Sequence, residues 1–336
     1  MVERVEARQR SLARIQAPDP KHLQPDRRHR SWLWNAGKGA AIIAVAAYAL
    51  LWCASTGYLY ATGGDWTSGV FILAIFGLAL TGVAWLLTRG ARAPRIEVEH
   101  PRLESGAVVV YLALYAVLFL GFGMTWARQA APPGPGQESL VLGLKLLVHV
   151  ALPAILLIVM GAKLGPITQL GLSGRKFWRT LIVMSLIILG LVCVITPSLK
   201  HISRIPPTFD VMIWALPLGY VWMTLEAGVT EEFLYRAVAQ TRFTAWFNSA
   251  WAGVFLTSVI FGLAHAPGLF MRGGPGVDGW STDPFQVIAH TIAVLSPVGL
   301  LFGLIYARTK SLLLVILLHG MVDVLPNLTE FVETWS

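Results

Sequence analysis

Three short groups of polar residues stand in apolar surroundings in the last third of this chain, at helical spacing. Glu231 and Glu232 are adjacent in Thr-Glu-Glu-Phe-Leu-Tyr-Arg, which closes on Arg236; Phe261 and His265 follow, then His319 and Asp323. Carboxylates beside imidazoles can do general acid–base chemistry, one group taking a proton from water while another holds or relays it. In a helix, Glu232 and Arg236 are four apart with the acid first, the favourable order for an ion pair. Glu231 falls about 100° further round and has no basic neighbour in its own segment, which makes it the candidate base. Asp323, one turn from His319, can orient the imidazole or point its own polar group into a site. Each group alone also has a plain reading: charges at a helix end, a packed histidine, a hydrogen-bonded pair. Three together, on separate helices, argue for a shared interior site.

The elements that must carry these groups are set by composition. Hydrophobic residues make up 55% of the 336 and charged residues 13%, and mean hydropathy is +0.63, a balance that excludes a water-soluble globule of this size. Apolar runs close to the ~18 residues needed to cross a bilayer recur at 39–55, 67–88, 106–126, 139–161, 177–197, 211–241, 247–265, 285–306 and 311–328. The expected fold is therefore all-α, a polytopic transmembrane bundle of eight or nine spans. The net charge of +8 is a matter of topology: 21 of the 26 Lys and Arg fall on one side of this arrangement, nine of them between Arg4 and Lys38. That asymmetry predicts a cytoplasmic N-terminus and attraction to anionic lipid at that face, and gives no reason to expect nucleic acid.

Residues 1–37 read as a basic cytoplasmic tail with an interfacial helix around 2–16, residues 38–205 as accessory spans, and 206–329 as a unit holding all three groups. A Pro/Gly linker at 128–138 and prolines 197, 206 and 207 mark the breaks, and the Gly/Pro-rich loop 266–284 is expected to be mobile. Lys145, inside the fourth span, is expected to snorkel outward, and His149 to be packed. Cys53 and Cys193 lie at similar depth, with packing favoured over pairing. At 1.5 Å per residue, Glu231 stands about 20 Å above a turn near Thr244, with His319 and Asp323 about 13 and 20 Å above Lys310. His265 is too high, at roughly 30 Å, if its helix begins at Ala245; a start near Ala250 closes most of the gap.

Glu-Glu-x-x-x-Arg, then Phe-x-x-x-His, then His-x-x-x-Asn/Asp resembles the signature of the CAAX-protease and bacteriocin-processing (abortive-infection) membrane proteins. The intervals, 34 residues from Glu231 to His265 and 54 from there to His319, are similar to those of type II CAAX prenyl endopeptidases, over about 206–328. Asp323 replaces the Asn of the eukaryotic enzymes. The resemblance implies an intramembrane endopeptidase acting on a membrane-associated protein or peptide. The residues matching Glu231 and His265 would activate water, those matching His319 and Asp323 would face the oxyanion, and Glu232 and Arg236 would hold the helix. No cofactor is expected. Zinc is the rival account, set back by the lack of a His-Glu-x-x-His pair. A silent scaffold or immunity protein and a proton-coupled transporter are the alternatives from other classes. Residue usage hints at a bacterial inner membrane.

Overall fold

A computed structural model describes residues 37–91, 93, 94, 96–162, 164, 172, 174–196 and 208–336. The tail 1–36, with its expected interfacial helix, and the prolines at 197, 206 and 207 lie outside the described residues. Eight helices are long and apolar enough to span: α1 Lys38–Ala61, α2 Trp66–Leu87, α3 Pro101–Ala130, α4 Pro135–Val159, α5 Gly174–Ile195, α6 Phe209–Phe247, α7 Ala250–Arg272 and α8 Pro284–Thr309. A ninth apolar stretch is divided into α9 Leu312–Asp323 and α10 Leu328–Trp335, bent by 82°. The chain is thus an all-helical, polytopic integral membrane protein. Where a straight ninth crossing is expected over 311–328, α9 stops at Asp323; Pro326 has no N–H to continue the ladder. Helices suit these sequences because a lipid-embedded backbone must satisfy its own hydrogen bonds.

The connections are short and chemically specified. Asp65 caps α2 by accepting the Ser68 N–H, and Ser249 caps α7 by accepting that of Ala252. Asn248 and Lys310 take left-handed conformations, φ 48° and 52°, at the α6–α7 and α8–α9 turns. The loop expected from 266 begins later, because α7 runs to Arg272, whose guanidinium donates to Leu120 O and Thr125 Oγ1 of α3. Cys53 and Cys193 are free and exposed.

The bundle is organised around α8. Of its most apolar window 78% is buried, against 17–33% for the other seven spans. Small residues let its neighbours approach: a Cβ on Gly262 of α7 would lie 2.6 Å from Thr291 O, and one on Gly299 3.0 Å from Ser258 Cα. Such contacts replace the hydrophobic drive that lipid cannot provide between helices. Buried polar ties complete the frame. Gln240 donates to Gly303 O at 2.8 Å, Tyr48 and Ser296 share a 2.9 Å bond, and Arg242 Nε meets Glu104 Oε2 at 3.3 Å, joining α6 to α3.

Candidate active site

Where α6 passes α9, two glycines set the separation. A Cβ on Gly228 would sit 2.6 Å from Ile316 O, and one on Gly320 2.2 Å from Thr224 Oγ1. Only glycine fits either place without a shift, so the two backbones nearly touch. The residue before Gly320 is His319, and the contact delivers it to the acidic segment of α6. There the backbone is π-helical over Thr224–Val229 and again over Phe233–Gln240, flanking a single α-turn, Thr230–Glu232. Such widened turns are uncommon and recur at functional sites.

Glu232 is fully buried, and both its oxygens are taken: Oε2 by Arg236 Nε at 3.0 Å, Oε1 by His319 Nδ1 at 2.8 Å. The other imidazole nitrogen, Nε2, lies 3.3 Å from Asp323 Oδ2 and 4.0 Å from Glu231 Oε2. Phe302 stacks on the ring, centroids 4.7 Å apart. A neutral imidazole has one N–H, so serving carboxylates from both nitrogens takes one further proton, held by the ring or an acid. Glu231 is mostly buried, with 13% of its side chain exposed, and its Oε2 has no hydrogen-bond partner.

Glu231 does have a cation, from a helix the sequence reading had set aside. Lys145 of α4 is only 9% exposed and does not snorkel. Its ammonium donates to Glu226 Oε1 at 2.7 Å and lies 3.6 Å from Glu231 Oε1. Two acids hold it inward more strongly than water beyond the apolar shell could attract it. Glu226 was missed altogether. The signal was its place five residues before Glu231, since residues five apart share a face in π-helical backbone. His149, one turn on from Lys145, is packed as expected. It bonds Tyr115 OH at 2.9 Å and Lys145 O at 3.0 Å, and Tyr115 OH lies 3.5 Å from Tyr235 OH.

His265 joins the cluster through an aromatic hub. Phe261 contacts the rings of His265, Tyr235 and His319, at centroid distances of 5.1, 5.5 and 6.0 Å, and Arg236 lies over its face at 5.2 Å. The terminal nitrogens of Arg236 are buried against this hub without hydrogen-bond acceptors. Helix α7 does begin at Ala250, so His265 stands about 22 Å along it and the depth gap closes. Its Nδ1 sits 2.9 Å from Phe261 O. A nitrogen facing a carbonyl carries the proton, which leaves Nε2 as an acceptor in the neutral ring. His265 forms no ion pair with either glutamate.

Among the described residues no group of three or more His, Cys, Asp and Glu could hold a metal ion. Both oxygens of Glu232 and both nitrogens of His319 are engaged within the cluster, while Glu231 Oε2 has no hydrogen-bond partner. A zinc site would need at least three ligand atoms turned to one point, an arrangement the described residues do not present as placed.

Residues 213–325 match the family model described as type II CAAX prenyl endopeptidase Rce1-like. The match contains all three groups and agrees with the resemblance carried by their spacing. No curated protein and no solved structure matches the chain.

Proposed function

We propose that this chain is a membrane-embedded endopeptidase in which Glu231 activates a water molecule against a peptide bond of a membrane-associated protein or peptide. The observation that carries this reading is Glu231 Oε2, a buried carboxylate oxygen with no donor, 4.0 Å from His319 Nε2. A carboxylate so placed accepts a proton from water. The water oxygen then bonds to the scissile carbonyl carbon, and the carbonyl oxygen becomes an oxyanion. The Lys145 ammonium, and the His319 Nε2–H where it is shared with Asp323, are the donors that stabilise that charge. The proton on Glu231 passes to the departing amine as the C–N bond breaks, leaving a carboxylate and an amine. His265 Nε2, the free acceptor on α7, orients the same water. Glu232 and Asp323 fix the His319 ring from its two nitrogens, and Arg236 holds Glu232. The family match supports protease chemistry, and the committed ligand atoms favour glutamate over zinc. The Lys/Arg asymmetry supports a cytoplasmic N-terminus, and residue usage is what supports a bacterial inner membrane.

Cleavage of a pooled membrane-peptide library by the detergent-purified protein tests the reading, with wild type beside Glu231→Gln, each with and without chelator. The expected loss in the variant is about 100-fold or more, the lower range for removing a general base, with no effect of chelator. Full activity in Glu231→Gln sinks the proposal. Activity lost to chelator replaces it with a metal mechanism.

A further inference from the structure

An apolar cavity of about 580 Å3 opens between α1, α2, α7 and α8, and no residue of the glutamate cluster lines it. Its shape follows from how the first two spans pack. α1 and α2 meet near the turn that joins them and then part, α1 resting on α7 and α8, α2 on α8. The walls are Trp52, Leu73, Leu78, Trp85, Phe255 and Leu304, among others. On α2 the groove runs from Leu73 to Trp85, about 18 Å at 1.5 Å per residue. That is close to one leaflet of hydrocarbon, ~15 Å.

The lining itself carries no charged residue, and the charge lies just past its last α2 residue, Trp85. Arg89 and Arg308 each lie 5.3 Å from the centroid of Trp85. Lys176 Nζ reaches Gly90 O at 3.3 Å and Arg179 reaches Leu87 O at 3.0 Å, so four cations gather where α2 ends and its dipole is negative. None has a carboxylate within ion-pair distance among the described residues. Arg308 spends two nitrogens on Thr88, and the guanidinium of Arg89 has no acceptor among the described residues.

We propose that this groove binds one anionic phospholipid, an acyl chain along α2 and the phosphate on Arg89 and Arg308. Charge decides the headgroup: two guanidiniums without acids match a phosphate that carries no compensating cation. The walls decide the tail: they are almost wholly apolar along the ~18 Å of α2, which matches a hydrocarbon chain within one leaflet. The leaflet is that on the side where α1 begins, cytoplasmic by the Lys/Arg distribution. The proposal is independent of the glutamate chemistry.

Native mass spectrometry of the delipidated full chain tests it, with phosphatidylglycerol and phosphatidylcholine of identical chains and with sn-glycerol 3-phosphate as the chainless headgroup. Two variants accompany wild type. Gly82→Phe fills the groove at a position where an added Cβ meets nothing within 4 Å, and Arg89→Gln/Arg308→Gln removes the charge. Circular dichroism and thermal unfolding check that both remain folded. The expected result is one retained phosphatidylglycerol, preferred roughly ten- to thirty-fold over phosphatidylcholine, as two arginines near a surface supply. The double variant loses the preference, Gly82→Phe loses both lipids, and sn-glycerol 3-phosphate does not compete. Equal retention of the two lipids by wild type overturns the proposal. Undiminished retention by folded Gly82→Phe does so too, as does a wild-type dimer that Gly82→Phe dissociates while lipid retention is unchanged.

Discussion

Arg236 has three guanidinium nitrogens and places only one on a carboxylate, yet its removal should be felt throughout the site. Glu232 would keep His319 as its sole partner while remaining 0% exposed. Arg236→Ala should cost about 3–5 kcal/mol, the usual price of leaving one member of a buried pair uncompensated. Denaturant or thermal unfolding in detergent would read this, and a change under 1 kcal/mol would contradict it. Pairs at i, i+4 were legible in the sequence because helical periodicity alone places them: Glu232 with Arg236, His319 with Asp323, Phe261 with His265. Lys145 with Glu226 was not, since 81 residues separate them and no local period joins α4 to α6. Nor could the sequence say which glutamate His319 would take. Glu231 and Glu232 are equivalent in type, and only the helix rotation separates the one that is paired from the one left open.

At the scale of elements, the site depends on how closely α6 and α9 approach. Gly228→Ala brings a methyl to 2.6 Å from Ile316 O, and Gly320→Ala one to 2.2 Å from Thr224 Oγ1. Each should lower stability by about 1–3 kcal/mol through overpacking, and should reduce cleavage by more than the unfolded fraction accounts for, because His319 moves off Glu232. Cleavage that falls only in step with stability would argue against this coupling. A separate test concerns the start of α2. The Ser68 N–H and Thr67 hydroxyl hold the Asp65 carboxyl at about 2, below its ordinary 3.8. A lowered value means the stabilisation is complete above the unfolded value and is lost as pH falls. Asp65→Ala should cost about 1 kcal/mol at neutral pH, and the difference from wild type should close between about pH 4 and pH 2 in unfolding curves. A constant difference across that range would show the cap is not the cause. Most span ends were readable to within five residues because hydropathy fixes length, while α1, α6 and α7 run six or seven residues further than expected. The 82° break after α9 was not, since an apolar run specifies burial and leaves direction to packing.

For the molecule as a whole, the earlier spans do more than accompany the C-terminal unit. α4 supplies Lys145 and His149, α3 supplies Tyr115 and Glu104, and α1 bonds α8 through Tyr48 and Trp52. Expressed alone, residues 206–336 would leave Arg242 and Glu231 without their opposite charges. That fragment should fail to accumulate as a folded, monodisperse species, and co-expression of residues 1–205 should restore it. Size-exclusion chromatography in detergent would decide, and a stable, active fragment would show that α6 to α10 suffice. The motifs lie within 213–325, so a search by motif sees only part of what the site is built from.

The close approach at Gly228 and Gly320 bears on how a saturation-mutagenesis map of this chain should be read. Both positions would score as intolerant as Glu231, since every side chain larger than hydrogen meets the opposite backbone or Thr224. Arg89 and Gly82, by contrast, would look permissive in any screen run in lipid-poor detergent. Intolerance in such a map would trace the contact between two helices as sharply as it traces the chemistry, and only a paired readout of abundance and turnover would tell one from the other.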